Sequence, residues 1–297
     1  MAVLVGPETR VICQGLTGRA ATYHCARMMA YGTRLVAGVT PGKGGRRHLD
    51  VPVFDTVAAA ASATGADASL VFVPPVNAAK AMIECIEAEV PLVVCVTERV
   101  PLLDMIRVRE VLDGSRTRLV GPNSQGVLAP GIAQLGVMTT VNARPGRIGV
   151  ASRSASLTSE VVAQLTAVGL GQSTTIGVGG DPVHGLSLAD CLDLFAEDPL
   201  TDGIVVIGEI GGTEEEEAAE RLGALRLAKP VVALIAGRNA PREKRMGHAG
   251  AFMSGRGGSA IEKSEKLERA GALSAPAAYL VGETMNQELS RRRNAAG

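Results

Sequence analysis

Val11-Ile-Cys-Gln-Gly15-Leu-Thr17-Gly18-Arg19-Ala-Ala21 runs from an apolar segment through a glycine turn into a helix-forming segment. Strand, tight turn and helix in that order open a βαβ unit and aim the backbone N–H groups of the helix start at an anion. The spacing is G-x-x-G-x-x-A rather than G-x-G-x-x-G, so the turn alone indicates a phosphate site without naming the ligand. Beyond it, short apolar runs alternate with amphipathic or alanine-rich segments, the pattern of a parallel sheet with helices on both faces. The first series predicts strands near residues 10–14, 34–39, 69–73, 91–96 and 118–121, with helices near 18–31, 56–63, 77–88 and 101–113. A second series predicts strands near 147–151, 173–177, 203–207 and 231–236, with helices near 156–168, 187–195 and 214–225.

The fold class is therefore α/β, in two domains. Residues 1–122 form the first, the Pro-, Gly- and Asn-rich stretch 123–146 is read as a junction, and 147–297 form the second. Ile261 to Ala270 reads as a further helix, and residues 290–297 as a solvated, frayed tail. Lys+Arg 30 against Asp+Glu 30 leaves no basic field for nucleic acid, and 2% aromatic residues leave no stacking platform for single strands. Cys13, Cys25, Cys85, Cys95 and Cys191 show no CxxC spacing and lie mostly in apolar runs, as expected of reduced cytoplasmic thiols. The first residues lack a signal-peptide pattern, and no apolar run approaches the ~18 residues of a membrane span. A cytoplasmic protein that binds neither nucleic acid nor membrane is expected, and no metal-ligand set is visible.

Where an NAD site would carry a carboxylate after the second strand, this chain has Thr40-Pro41-Gly42-Lys43-Gly44-Gly45-Arg46-Arg47. Glycines and cations there favour a ligand with additional phosphates, either NADP or coenzyme A. Val96-Thr97-Glu98 ends a strand at the same carboxyl edge, where such folds bind ligands. In the second series, Ser152-Arg153-Ser154-Ala155-Ser156-Leu-Thr158-Ser159-Glu160 turns from a strand into a helix, with hydroxyls at candidate cap positions. Gly177-Val-Gly179-Gly180-Asp181-Pro182 and Ile207-Gly208-Glu209-Ile-Gly211-Gly212 place bendable backbone after strands, and the second sets the Glu209 carboxylate among glycines. Met246-Gly247-His248-Ala249-Gly250 leaves an imidazole among small neighbours, which suits either a solvated loop or a presented nucleophile. Glu209 is the residue type that would accept the proton of one imidazole nitrogen and leave the other nucleophilic.

Together with Gly38-Val-Thr-Pro-Gly-Lys-Gly-Gly45, Gly121-Pro-Asn and Arg245-Met-Gly-His-Ala-Gly250, these motifs resemble, in this order and over nearly the whole chain, the α subunit of succinate–CoA ligase. The resemblance implies an N-terminal Rossmann-like CoA-binding domain followed by a flavodoxin-like ligase domain. It implies that His248 becomes phosphorylated with Glu209 steadying it, that Ser154, Ala155 and Ser156 supply a phosphate-binding helix start, and that Thr17, Gly18, Arg19, Ala20, Lys43, Val96, Thr97 and Glu98 contact coenzyme A. The reaction implied joins an acid to CoA at the expense of a nucleoside triphosphate, through phosphohistidine and an acyl phosphate. Nucleotide, ATP or GTP with Mg²⁺, falls to a partner, an ATP-grasp β subunit in an αβ or α2β2 assembly. Other readings are a related ligase for malate or citrate, a non-catalytic CoA-binding protein, and an NADP oxidoreductase. Intact His248 and Glu209 count against the non-catalytic reading, and the lack of a recognisable hydride-transfer site counts against the oxidoreductase.

The chain departs from the family pattern at Arg19-Ala20-Ala21, Ser124-Gln125, Ala155 and His184. It also has Ser159 where a tyrosine usually lines the acid site. A serine there opens space next to the phosphate helix, and a pocket built to bond a substrate hydroxyl discriminates strongly in its favour. Ser159→Tyr should shift kcat/KM toward succinate and away from larger hydroxy acids; an unmoved preference across a panel of acids would make Ser159 neutral.

Overall fold

The computed structural model describes residues 2–253 and 258–296. Two compact units emerge. The first comprises Leu4–Met138 with Val183–Leu186; the second holds Thr139–Pro182, the chain from Ser187 onward and a short N-terminal piece ending at Val3.

The first unit runs β1 (Arg10–Gln14), α1 (Arg19–Tyr31), β2 (Arg34–Val39), β3 (Arg47–His48), β4 (Val51–Phe54), α2 (Val57–Thr64), β5 (Ala68–Val71), α3 (Pro75–Glu87), β6 (Leu92–Cys95), α4 (Leu102–Leu112), β7 (Arg118–Val120), β8 (Gly126–Ala129) and β9 (Ala133–Gly136). Its main sheet has the order β3-β4-β2-β1-β5-β6-β7. All pairings are parallel except the short β3–β4 edge. Without β3 this is the 3-2-1-4-5-6 order of a Rossmann sheet, whose direction of winding reverses beside its first strand. Helices on both faces bury the central strands completely: Val11, Ile12 and Cys13 of β1 have no exposed surface, nor have Leu70, Val71, Val93 and Val94. Such strands read as continuous apolar runs, and their positions are those expected to within a few residues.

The second unit runs β10 (Pro145–Ser152), α5 (Ala155–Ala167), β11 (Gln172–Gly177), α6 (Leu188–Glu197), β12 (Gly203–Glu209), α7 (Glu214–Leu225), β13 (Val231–Ala236), α8 (Ala260–Arg269), β14 (Leu273–Ser274) and α9 (Val281–Ala296). Its parallel strands follow the order β14-β13-β12-β10-β11. That is the flavodoxin-like 2-1-3-4-5 order, with the reversal between β10 and β12. One core cluster joins Ile148, Val150, Val205 and Ile207 of the sheet to Val161 and Leu165 of α5 and Val281 and Met285 of α9.

Two stretches depart from expectation. Residues 123–146, read as a junction from their Gly and Pro content, hold the antiparallel hairpin β8–β9, whose strand residues are all buried. Its glycines serve close backbone approach: a Cβ on Gly126 would lie 1.9 Å from the Leu135 carbonyl oxygen, and one on Gly136 would lie 2.3 Å from that of Gln125. The supposed frayed tail is the end of α9, apart from Gly297, which lies outside the described residues. Glu288 anchors it, accepting from Arg291 at 2.8 Å and from Arg292 at 2.6 Å. Those two guanidiniums hold the Glu288 carboxyl down at about 2. An arginine run that reads as solvated is therefore tied back to an acid one helical turn earlier. Among the described residues no helix is long and apolar enough to cross a membrane.

Candidate active site

In the second unit, β12 ends on Glu209, whose side chain is buried although it carries a carboxylate. The reason is His248. Its Nδ1 lies 2.7 Å from Glu209 Oε2. A carboxylate only accepts, so Nδ1 carries the proton, and Nε2 keeps its lone pair. The imidazole lies against bare backbone, for a Cβ on Gly180 would sit 2.5 Å from its Cγ and Nδ1. The loop carrying it bends at Gly247, φ 92°. It is closed by the Ala251 amide donating to the His248 carbonyl at 3.2 Å and the Met246 amide donating to that of Ala251 at 2.9 Å. The histidine side chain keeps 30% of its surface exposed, so the expected presentation among small residues is what the loop produces. The hydrogen bond to Glu209 raises the His248 pKa above its ordinary value, against the opposing pull of partial burial.

Arg153 stands beside this pair. Its side chain is buried, with Nη2 3.4 Å from Glu209 Oε1 and Nη1 3.6 Å from Glu215 Oε1. Ser154 follows it as the N-cap of α5, its hydroxyl accepting from the Leu157 amide at 3.3 Å. Ser152, at the end of β10, pairs in register with Ile207 of β12. The exposed first-turn residues Ala155 and Ser156 thus open at the same sheet edge as Glu209, where helix-start amides favour an anion by about 0.3–1 kcal/mol. Ser159 is half-buried on α5, its hydroxyl donating to the Ala155 carbonyl at 3.2 Å.

The first unit gathers the other group of expected residues around the reversal beside β1. Gly15 takes φ 80°, and a Cβ there would lie 3.0 Å from the Phe72 carbonyl oxygen. Gly18 caps α1 with extended backbone and without any side-chain hydrogen bond, and no acid occupies the first turn. The amides that begin α1 at Arg19 and Ala20 therefore receive no side-chain cap from Gly18. Lys43 reaches back from the β2 loop to donate to Thr17 Oγ1 at 2.8 Å. Thr97 Oγ1 donates to the Val73 carbonyl at 2.8 Å and the Thr97 carbonyl accepts from the Asn123 amide at 2.9 Å, fixing the loop that carries Val96 and Glu98. The Gly44 amide donates to Asp55 at 2.9 Å, so a carboxylate does stand at this loop, supplied by the end of β4 rather than of β2. Among the described residues no cluster of His, Cys, Asp or Glu is arranged to hold a metal ion.

Sequence reading assigned no role to Arg153, Gly180, Glu215 or Lys263, all of which surround the His248–Glu209 pair. Glu215 and Lys263 are fully buried. In sequence they look like a helix-start acid and an amphipathic-helix lysine, whose ordinary place is in water.

A CoA-binding domain family model matches residues 7–99, and a CoA-ligase family model matches residues 151–273. The succinate–CoA ligase (ADP-forming) subunit alpha of Aquifex aeolicus is 50% identical over 287 residues, covering 96% of this chain and 94% of its own length. That of Staphylococcus aureus is 47% identical over 285 residues, with the same coverage. Among solved structures, ATP citrate lyase from Methanothrix soehngenii in complex with citrate and coenzyme A is similar with a TM-score of 0.85 at 23% identity. The match covers 97% of this chain and 51% of that one, so the chain spans about half of that protein, and the likeness concerns fold.

Because the native His248 pKa is raised, its ion pair with Glu209 contributes stability that is fully present below the unfolded value of about 6.5 and is lost as pH rises through the native value. His248→Asn should therefore lower the unfolding temperature most at about pH 5.5 and least at about pH 9. Thermal melts of both proteins across that range check the trend; a gap that widens with pH would contradict it.

Proposed function

The chain belongs to the succinate–CoA ligase α-subunit family, and on that premise we propose that it forms succinyl-CoA from succinate and CoA with a nucleoside triphosphate, using His248 as the phosphoryl carrier. The observation that carries this reading is the 2.7 Å contact between His248 Nδ1 and Glu209 Oε2, which leaves Nε2 as the free nucleophile. Nε2 forms a bond to the terminal phosphorus of the nucleotide as the bond to the diphosphate leaving group breaks. Glu209 keeps the Nδ1 proton and balances the positive charge that develops on the ring. The amides of Ala155 and Ser156, with Ser154 at the cap, face the phosphoryl oxygens. A succinate carboxylate oxygen then takes the phosphoryl group, and the imidazole returns to its neutral state. This step is needed because a bare carboxylate has no leaving group for thiol attack. Ser159, on the same helix, lines the acid.

Coenzyme A fits the first unit by the chemistry of its donors: uncapped amides at Arg19 and Ala20, the glycine approach at Gly15 and Gly18, and the Lys43 ammonium held on Thr17. It supplies the thiol that displaces phosphate from the acyl phosphate. Val96, Thr97 and Glu98 face it from the next loop of the same edge. The nucleotide, with Mg²⁺, is carried by an ATP-grasp β subunit in an αβ or α2β2 assembly, and the ADP-forming relatives favour ATP over GTP.

Incubating the assembled enzyme with γ-labelled ATP should label this chain once, and His248→Asn should remain unlabelled; persistent label in the variant would remove His248 from the mechanism. His24 stacks on the Phe72 ring and His48 Nε2 lies 2.8 Å from Thr22 Oγ1, surroundings unlike the carboxylate contact of His248. Lys43→Ala should weaken CoA binding by about 1.5–3 kcal/mol, the range for a hydrogen bond to a charged group. Titration calorimetry with CoA measures it, and an unchanged affinity would take Lys43 out of the site.

A further inference from the structure

Beneath His248 lie charged groups that phosphoryl transfer itself does not use. Glu215, in the first turn of α7, and Lys263, on α8, are wholly buried and paired through Lys263 Nζ and Glu215 Oε2. Burying two ions cancels most of their attraction, so an apolar pair of the same volume would fill this space at least as well. Their remaining contacts show what the ions do there. Glu215 Oε1 accepts from the Glu209 amide at 2.9 Å and faces Arg153 Nη1 at 3.6 Å. Arg153 in turn faces Glu209 Oε1, which makes no hydrogen bond of its own. Lys263 Nζ donates to the carbonyl of Gly211, in the turn that leaves Glu209. Gly208 admits the arrangement, because a Cβ there would stand 2.4 Å from Glu215 Cγ. Directly or through Arg153, the pair is thus connected to Glu209 and to the backbone on either side of it.

The charges balance as well. Arg153 and Lys263 oppose Glu209 and Glu215. The next acid, Glu216, is shared between Lys263 at 3.5 Å and Lys266 at 3.6 Å. Asp181, after β11, is the other acid acting on the imidazole. We propose that Glu215 and Lys263 are positioning residues for the phosphoryl-accepting histidine: they hold the Glu209 carboxylate in the orientation that keeps the proton on His248 Nδ1 and turns Nε2 outward. The consequence for catalysis rests on the phosphohistidine reading, but the positioning itself is visible on the imidazole without nucleotide.

The chain has only four histidines, so isotope-labelled imidazole resonances of the full-length protein can be followed one by one, with His248→Asn providing the assignment. Glu215→Gln leaves Arg153 opposed by Glu209 alone and Lys263 by Glu216, so that Arg153 draws the Glu209 carboxylate from the imidazole. The His248 titration midpoint should fall by about one pH unit, and labelling by γ-labelled ATP should slow by about tenfold or more. Glu215→Gln with Lys263→Met should leave the midpoint low, because Arg153 still faces Glu209 alone, whereas Glu215→Asp, which keeps the charge, should hold the midpoint and the rate nearer the wild type; a purely structural loss would not separate the two. If Glu215→Gln does not fold, Lys263→Met alone is read instead: unopposed Glu215 takes Arg153 from Glu209, and the midpoint should rise. Midpoints that stay at the wild-type value in the folded charge-removing variants, with only the unfolding temperature lowered, would overturn the proposal. Shifted midpoints in a wild type that takes no label would support the positioning and remove only the phosphohistidine reading.

Discussion

A carboxylate accepts hydrogen bonds and donates none, and the reactive geometry of the second unit depends on that asymmetry. Glu209, placed at the end of a buried strand, can bond to His248 only if the imidazole proton is on Nδ1. The bond dictates the tautomer, the tautomer selects the nucleophilic nitrogen, and the ring must then lie where Gly180 leaves room. The glycines around it are consequences of the same constraint. Gly180 makes space for the ring, Gly208 for Glu215, and Gly211 for the backbone of the returning loop, where a Cβ would lie 2.2 Å from the Gly250 carbonyl oxygen.

The two units present different groups at equivalent points of their sheets. Each places its loops at the carboxyl ends of parallel strands beside the reversal of strand order. In the first unit the helix start has no side-chain cap at Gly18, and Lys43 stands beside it on Thr17. In the second, Ser154 caps α5 and an imidazole bonded to a carboxylate stands at the edge. Backbone amides bind without reacting, whereas an imidazole can form and release a bond to phosphorus.

Most of the scaffold was legible in the sequence because fully covered parallel strands have only one way to look: uninterrupted apolar runs such as Ile204 to Ile207 and Val231 to Ile235. His248 and Glu209 stand out in the sequence because glycines frame both, and the structure brings the two together. The hairpin at residues 126–136 was not, since the glycines that let its strands approach look the same as those of a linker. Nor was the end of α9, where Glu288 must be seen in space beside Arg291 and Arg292 before the run stops looking solvated. Glu215 and Lys263 were the least accessible. They lie far apart in sequence on separate helices, and neither residue type advertises burial.

Lys263 lies beyond His248 in the chain, on a helix that must pack against α7 before its ammonium can reach Glu215. Ribosomal synthesis delivers His248 first and α8 afterwards, at roughly 5–20 residues per second. For that interval a nascent chain displays its histidine without the lysine that completes the charge balance below it. Completion of the charge balance around Glu215 is thus tied to the docking of α8, which precedes β14 at the edge of the sheet.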